Sequence, residues 1–231
     1  MLYNTYKIDS ATDIQLHIFV DASEKAYAAV GYLRITHENH IACSMVGAKT
    51  RVAPLKPLSI PRLELEAAVL GSRLARTIEK SHSIKIKKRV FWTDSKTVIC
   101  WLRSDQRKYK QFVAFRVGEI LEITALEEWR WIPTKENVAD EATKWTIVPD
   151  VKYESRWFCG AQFLTQSDVK WPIDTSLNAL NNVTEEQRIN THVTIVNHSL
   201  IDIARFSNWN RLMRTQAYIF RFINKVRAHQ A

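Results

Sequence analysis

The sequence predicts an α/β fold: a mixed five-stranded sheet, its first three strands antiparallel, flanked by helices and followed by a C-terminal helical extension. Three observations point there. Residues 14–20 alternate apolar and polar with period two and stop at an aspartate. Two more strand-like runs follow at once, joined by short polar links, which suggests an antiparallel meander. Beyond them, helix-like and strand-like segments alternate, giving the order βββ-α-β-α-α-β-α.

In the first strand Ile14, Leu16, Ile18 and Val20 alternate with Gln15 and His17 and end at Asp21. The next strands cover 26–35 and 41–49, separated by the polar turn 36–40. After the loop 51–59, Pro61 sits where proline favours a helix start, and Leu63, Ala67, Leu70, Leu74 and Ile78 form the buried stripe. Residues 89–93 read as a buried strand, with Asp94 placed to cap a helix over 95–102. An amphipathic helix over 110–123, a short strand over 128–132 stopped by Pro133, and a last short helix over 136–145 complete a domain at 14–146. Residues 147–200 form an irregular polar connector anchored by Trp157, Phe158, Phe163 and Trp171. The segment 201–231 is a basic amphipathic helix. Phe206, Trp209, Leu212, Met213, Ala217, Phe220 and Ile223 lie on one side, and Arg205, Arg211, Arg214, Arg221, Lys225 and Arg227 on the rest.

Composition narrows the function classes. The chain has 231 residues, 46% hydrophobic and 25% charged, with 5 Gly and 6 Pro, which excludes disordered, collagen-like and low-complexity sequence. No apolar run reaches the ~18 residues of a membrane span, and the first ten residues lack an apolar signal core, so a cytoplasmic or nuclear and not a secreted protein is expected. The 3 cysteines, Cys43, Cys100 and Cys159, are too few and too scattered for a disulfide framework or a metal knuckle. The unusual property is charge: 33 basic against 24 acidic residues, net +9. It clusters. Residues 73–116 hold 13 bases and 3 acids, whereas 117–145 hold 7 acids and 3 bases. A solvated basic face accounts for this as well as a phosphate-binding surface beside a carboxylate site does.

Four acids occupy special positions: Asp21 in FVDAS, Glu64 in PRLELEAAVL, Asp94 in FWTDSKTV and Asp140 in KENVADEATK. Each has an ordinary explanation as turn residue, helix-start charge, N-cap or surface acid. Helical geometry separates Glu64 from its neighbour Glu66. At ~100° per residue Glu64 falls beside Ala67, Ala68, Gly71 and Ala75, on the small-residue face. Glu66 falls on the far side with Arg62 and Arg73. A carboxylate on the packed face needs a cation or partner, because burying an unpaired charge is costly. Carboxylates converging at strand ends suit hard divalent cations, and two such ions ~4 Å apart support in-line phosphoryl displacement.

Together, FVDAS, RLELEAA, FWTDSKTV and NVADEATK resemble the ribonuclease H fold. AKTRVAPLKPLSIPRLELEAAVLGSRLA, WLRS and FVAFRVGEI narrow the resemblance to the ribonuclease H domain of BEL/Pao-type LTR retrotransposon polyproteins, over about 14–146. SRWFCGAQFL resembles the connector that follows in those polyproteins, and RFSNWNRLMRTQAYIFRFINKVR the segment leading into their integrase. The resemblance implies hydrolysis of the RNA strand of RNA·DNA hybrids with two Mg2+ (or Mn2+) ions, in retrotransposon reverse transcription. Asp21, Glu64, Asp94 and Asp140 would be the ligands, Asp21 bridging both ions and Asp94 helping to orient water. Reverse transcriptase or integrase regions of the parent polyprotein would be partners in trans.

The chain departs from the family pattern. No His stands in 131–139, where many ribonuclease H enzymes carry one before the last Asp. Val138 and Glu141 replace the Pro and the apolar residue of an NPADLASRG-like phrase. Protease, polymerase, HHCC and integrase-core signatures are missing, as in an excised or domesticated fragment. A catalytically weak or inactive nucleic-acid-binding remnant is therefore the alternative. For hybrid binding the candidates are Lys87, Lys88, Arg89, Lys96, Arg103, Arg107, Lys108 and Lys110. Trp92 and Trp101 are expected in the core, and Trp131 and Trp145 near the acidic site. The basic terminal helix is left open between docking on the domain, nucleic-acid contact and membrane-surface contact.

Overall fold

The computed structural model describes residues 13–38, 40–144, 152–173, 186–187 and 205–228. Trp145 and the remaining stretches of the connector lie outside the described residues. By contacts the chain divides into two compact units, Met1–Arg188 and Ile189–Ala231.

The first unit opens with strands β1 (Asp13–Ala22), β2 (Ala26–His37) and β3 (His40–Val52), then helix α1 (Ile60–Ser81). Strand β4 (Lys88–Thr93), helices α2 (Lys96–Arg103) and α3 (Gln111–Ile123), strand β5 (Trp129–Trp131) and the single turns α4 (Asp140–Thr143) and α5 (Arg156–Cys159) follow. The sheet order is β3-β2-β1-β4-β5. The β1–β2 and β2–β3 pairs are antiparallel, and the β1–β4 and β4–β5 pairs are parallel.

Central β1 is buried on both faces. Leu16, Ile18 and Val20 join Leu63, Ala67, Leu70, Leu74 and Ile78 of α1 in the larger core, as the helical stripe predicts. Gly71 permits the close approach of α1 to β1, since a Cβ there would meet Val20 Cγ1 at 2.4 Å. On the opposite face Phe19, Val30, Tyr32, Val90, Trp92 and Ile132 lie under Ala161, Phe163, Leu164 and Trp171. Residues 152–173 therefore strap the second face of the sheet. Tyr32 Oη donates to Trp157 O at 2.6 Å, and Arg34 donates to Leu164 O at 2.8 Å and Gln166 O at 3.0 Å. These bonds satisfy carbonyls of an irregular segment that has no ladder of its own. The boundary expected at 146 thus precedes a stretch that completes the core.

Trp92 and Trp101 are fully buried, as expected. Trp92 Nε1 donates to His17 Nδ1 at 3.1 Å, which leaves His17 Nε2 to donate to Gln15 Oε1 at 3.2 Å. Burial, with Arg34, Lys88 and Arg130 nearby, pushes the His17 pKa down to about 3.

Local differences from the sequence expectations have simple causes. The cap of α2 is Ser95, not Asp94: its hydroxyl accepts from Val98 N at 3.1 Å, a bond the short serine makes one residue closer to the helix. The helix expected over 136–145 is only one turn at Asp140, preceded by a 3-10 turn at Thr134–Glu136. Pro133 stops the strand before it, and Asn137 folds its side chain back to Ala139 N. In the second unit, the helix α6 begins at Trp209 and runs to Ala228. Among the described residues no helix is long and apolar enough to cross a membrane.

Candidate active site

Strand pairing alone brings two of the four acids side by side. Val20 of β1 and Thr93 of β4 are partners in a parallel ladder, so the next residues, Asp21 and Asp94, emerge together at the C-terminal ends of both strands. Glu64 is the fifth residue of α1, just past its first turn, close enough to feel the charge of Asp94, and Asp140 opens α4 with its charge felt at Asp21.

Each acid has its own protein partner. The Thr143 hydroxyl donates to Asp21 Oδ2 and the Lys144 ammonium pairs with Asp140. Ser95 Oγ donates to Glu64 Oε2 at 2.6 Å while accepting from Val98 N, so the cap of α2 also orients the acid of α1. Asn137 Nδ2 contacts Asp94 Oδ1 at 3.2 Å and Val20 O at 3.0 Å, tying the α4 loop to both strand ends. Ser23 Oγ donates to Thr143 O at 2.9 Å and closes the group below Asp21. Asn137 and Thr143 were signalled by their places in NVADEATK, three residues either side of Asp140.

Electrostatics agree with this gathering. Burial raises the Asp21 pKa to about 7, the Thr143 hydrogen bond opposes that, and the Asp94 and Asp140 carboxylates add to it. Glu64 is also raised, first by burial, with the Ser95 bond opposing and Asp94 adding. Lys144 is raised by its bond to Asp140 and by the charges of Asp140, Asp21 and Asp94. The oxygen of Asp140 that meets Lys144 is Oδ1, so that carboxylate is offset by a cation of the protein itself. An all-oxygen donor set in which burial and neighbouring carboxylates raise Asp21 and Glu64 fits a hard divalent cation in chemistry. In geometry the four side chains stand apart: among the described residues no group of three or more His, Cys, Asp or Glu is close enough to hold an ion. The hydroxyls of Thr143 and Ser95 hold Asp21 and Glu64 to the protein rather than to each other.

Glu66 points away and pairs with Arg116 at 2.5 Å, the outward placement that helical geometry predicts. Glu141 pairs with Arg156 at 3.7 Å. Trp131 does border the acids: its Nε1 donates to Asp94 O at 2.9 Å, and Lys96 Nζ lies 4.8 Å from its ring centroid.

The eight candidate cations separate into three places. Lys96 stands beside the acids, at the start of α2. Arg103 ends α2, Arg107 and Lys108 lie in the 3-10 turn Gln106–Lys108, and Lys110 precedes α3. Lys87, Lys88 and Arg89 stand at the opposite end of β4, ~16–23 Å from Asp94 at ~3.3 Å per residue. There Arg89 is engaged by Glu128 at 2.8 Å, Glu79 at 3.1 Å and Ile123 O at 3.2 Å. Lys88 pairs with Asp168 at 3.6 Å and Lys87 with Asp13 at 3.9 Å.

Residues 3–95 match the family model described as the Pao retrotransposon-like RNaseH-like domain, as the sequence resemblance leads one to expect. No curated protein matches the chain. Among solved structures, the N-terminal RNase H domain of rv2228c from Mycobacterium tuberculosis, fused to maltose binding protein, is similar at 12% identity and TM-score 0.39, over 57% of this chain and 91% of that one. RNase H1 from Halobacterium salinarum NRC-1 is similar at 10% identity and TM-score 0.36, over 56% and 92%. LC11-RNase H1 in complex with RNA/DNA hybrid is similar at 12% identity and TM-score 0.36, over 54% and 88%. The fold is the expected one: a ribonuclease H-like mixed sheet, three strands antiparallel and two parallel, with helices.

Proposed function

We propose that this chain, whose residues 3–95 match a Pao retrotransposon-like RNaseH-like domain, is a ribonuclease H that cleaves the RNA strand of RNA·DNA hybrids in retrotransposon reverse transcription. The observation that carries the proposal is the juxtaposition of Asp21 and Asp94 on neighbouring parallel strand ends, with Asp140 adding to the charge around Asp21 and Asp94 to that around Glu64.

Asp21, Glu64, Asp94 and Asp140 would hold two Mg2+ or Mn2+ ions. Bound there, such ions supply a nucleophilic water at neutral pH and offset charge on the phosphoryl group. The protein's own part is positioning. Asn137 holds Asp94 Oδ1 toward the strand ends, Ser95 fixes Glu64 and Thr143 fixes Asp21, so three acids keep their rotamers without a ligand. A raised Asp21 pKa means that a cation must displace a proton near and below neutral pH, so metal affinity should rise with pH. Lys96 over Trp131 gives the rim a cation for a phosphate and a flat ring for a base or sugar.

One observation favours a second reading, a hybrid-binding domain without turnover. The acids are satisfied by protein partners instead of being drawn into a cage. Both readings meet in one assay: a labelled hybrid, duplex RNA and duplex DNA incubated with the full chain in Mg2+, Mn2+ or EDTA. Metal-dependent cleavage confined to the RNA of the hybrid, lost in Asp94→Asn, supports the nuclease. An intact hybrid in both metals, with salt-sensitive binding retained, supports the second reading.

A further inference from the structure

The second unit carries a charged surface that the carboxylate chemistry does not use. Helix α6 contains Arg211, Arg214, Arg221, Lys225 and Arg227 and no acidic residue. Four of these fall at 211, 214, 221 and 225, spacings of three, seven and four, and Tyr218 fills the step between 214 and 221. At ~100° per residue they share a sector only ~80° wide, and at ~1.5 Å per residue they form a straight seam ~21 Å long. Arg211, Arg214, Tyr218, Arg221 and Lys225 are all exposed, Tyr218 at 69%. None of the four cations has an ion-pair partner among the described residues.

The opposite side of the helix is different. Leu212 is buried and Thr215, Ile219 and Ile223 are half-buried, whereas Trp209, Met213 and Phe220, further round the helix, are exposed. Positions 212, 215, 219 and 223 repeat at three, seven and eleven residues, the spacing of a packed stripe. The basic seam is an exposed face of the helix, with Phe222 exposed along one border.

We propose that this seam binds the sugar–phosphate backbone of single-stranded nucleic acid. A cationic line without acids is complementary to a polyanion and repels cationic partners. Its narrowness fits one strand, since a helix lying in a duplex groove would meet phosphates on both flanks and needs a wider basic sector. Tyr218, between Arg214 and Arg221, offers a stacking ring to an unpaired base, a contact that paired bases inside a duplex cannot make. The seam needs no metal and no hydrolysis, so it stands or falls separately from the nuclease proposal.

The test uses the full chain in EDTA with a labelled 20-nucleotide oligo-dT strand, titrated from ~50 to ~250 mM salt. Replacing Arg211, Arg214, Arg221 and Lys225 by Gln, a good helix former, should reduce the slope of log affinity against log salt by about 3, from ~0.7 per phosphate contact. Affinity near 100 mM salt should fall at least about tenfold. Changing the three arginines to Lys should keep the slope, and Tyr218→Leu should weaken binding about threefold or more with the slope unchanged. An unchanged slope in the Gln chain overturns the proposal. So does loss of the slope in the Lys chain, which would assign the effect to altered folding. If the Gln substitutions abolish binding to phosphatidylserine vesicles while leaving oligo-dT binding intact, the seam is a lipid surface and the proposal fails. A fallen slope in a chain that never cleaves a hybrid would retain the seam and remove the nuclease reading.

Discussion

The two ends of the β1–β4 strand pair treat charge in opposite ways. At the C-terminal end four acids, Asp21, Glu64, Asp94 and Asp140, outnumber Lys144 and Lys96, and burial, with the Asp94 and Asp140 charges adding, pushes Asp21 up to about 7. At the N-terminal end Lys87, Lys88 and Arg89 each meet a carboxylate, and Arg89 meets two. Surplus charge marks an end that can accept a cation, whereas cancelled charge marks an end that is finished. A basic run in sequence is therefore not a basic surface until its partners are counted.

Four substitutions probe this contrast. The largest effect is expected from Arg89→Met, which leaves Glu79 and Glu128 facing each other without a partly buried cation. Urea unfolding should show a loss of about 3 kcal/mol. Hybrid affinity should stay within about twofold, and a larger drop would return Arg89 to the binding surface.

Asp21→Asn should act in the opposite direction on stability. A carboxyl raised from its unfolded range near 4 to about 7 binds more protons folded than unfolded between those values, so stability is lost as pH rises through that window. In EDTA at pH 8 the variant should gain about 2 kcal/mol over the parent, and the gain should vanish near pH 4. A pH-independent difference would refute the assignment. His17 runs the other way. Its lowered pKa makes both chains lose stability as pH falls from about 6.5 toward 3.

Asn137→Ala removes the tie between Asp94 and Val20 O. It should cost about 1–2 kcal/mol and lower hybrid cleavage about tenfold, more in kcat than in KM. The smallest effect is expected from Lys144→Gln. Deleting the cation that now offsets Asp140 should tighten Mn2+ binding about two- to threefold in calorimetry, within the modest worth of a half-exposed ion pair. Weaker binding would show that Lys144 supports the site instead of competing for it.

Much of this was legible in the sequence. Period-two alternation found β1, and the stripe from Leu63 to Ile78 found α1 and sorted Glu64 from Glu66, because both are local consequences of helix and strand geometry. What stayed hidden depends on contacts distant in sequence. Nothing in residues 87–89 announces Glu79, Glu128 or Asp168 as neutralising partners, since those approach only through the fold. Asp94 and Ser95 are both good caps by residue type, and only the backbone turn decides that Ser95 fills the place. The packing of 152–173 was obscured because irregular backbone has no period, although Phe163 and Trp171 were recognisable as anchors.

That strap also bears on how the chain tolerates being cut. Phe163, Leu164 and Trp171 lie against the sheet, and Arg34 and Tyr32 grip carbonyls at Leu164, Gln166 and Trp157. A specific protease site inserted between 145 and 151 should therefore yield two pieces that elute together and part only in denaturant. Expressed without its strap, the amino-terminal piece would present Phe19, Val30, Val90 and Trp92 as a bare sheet surface and precipitate. Supplying the missing peptide in trans should rescue its solubility, so the molecule behaves as a natural candidate for fragment complementation.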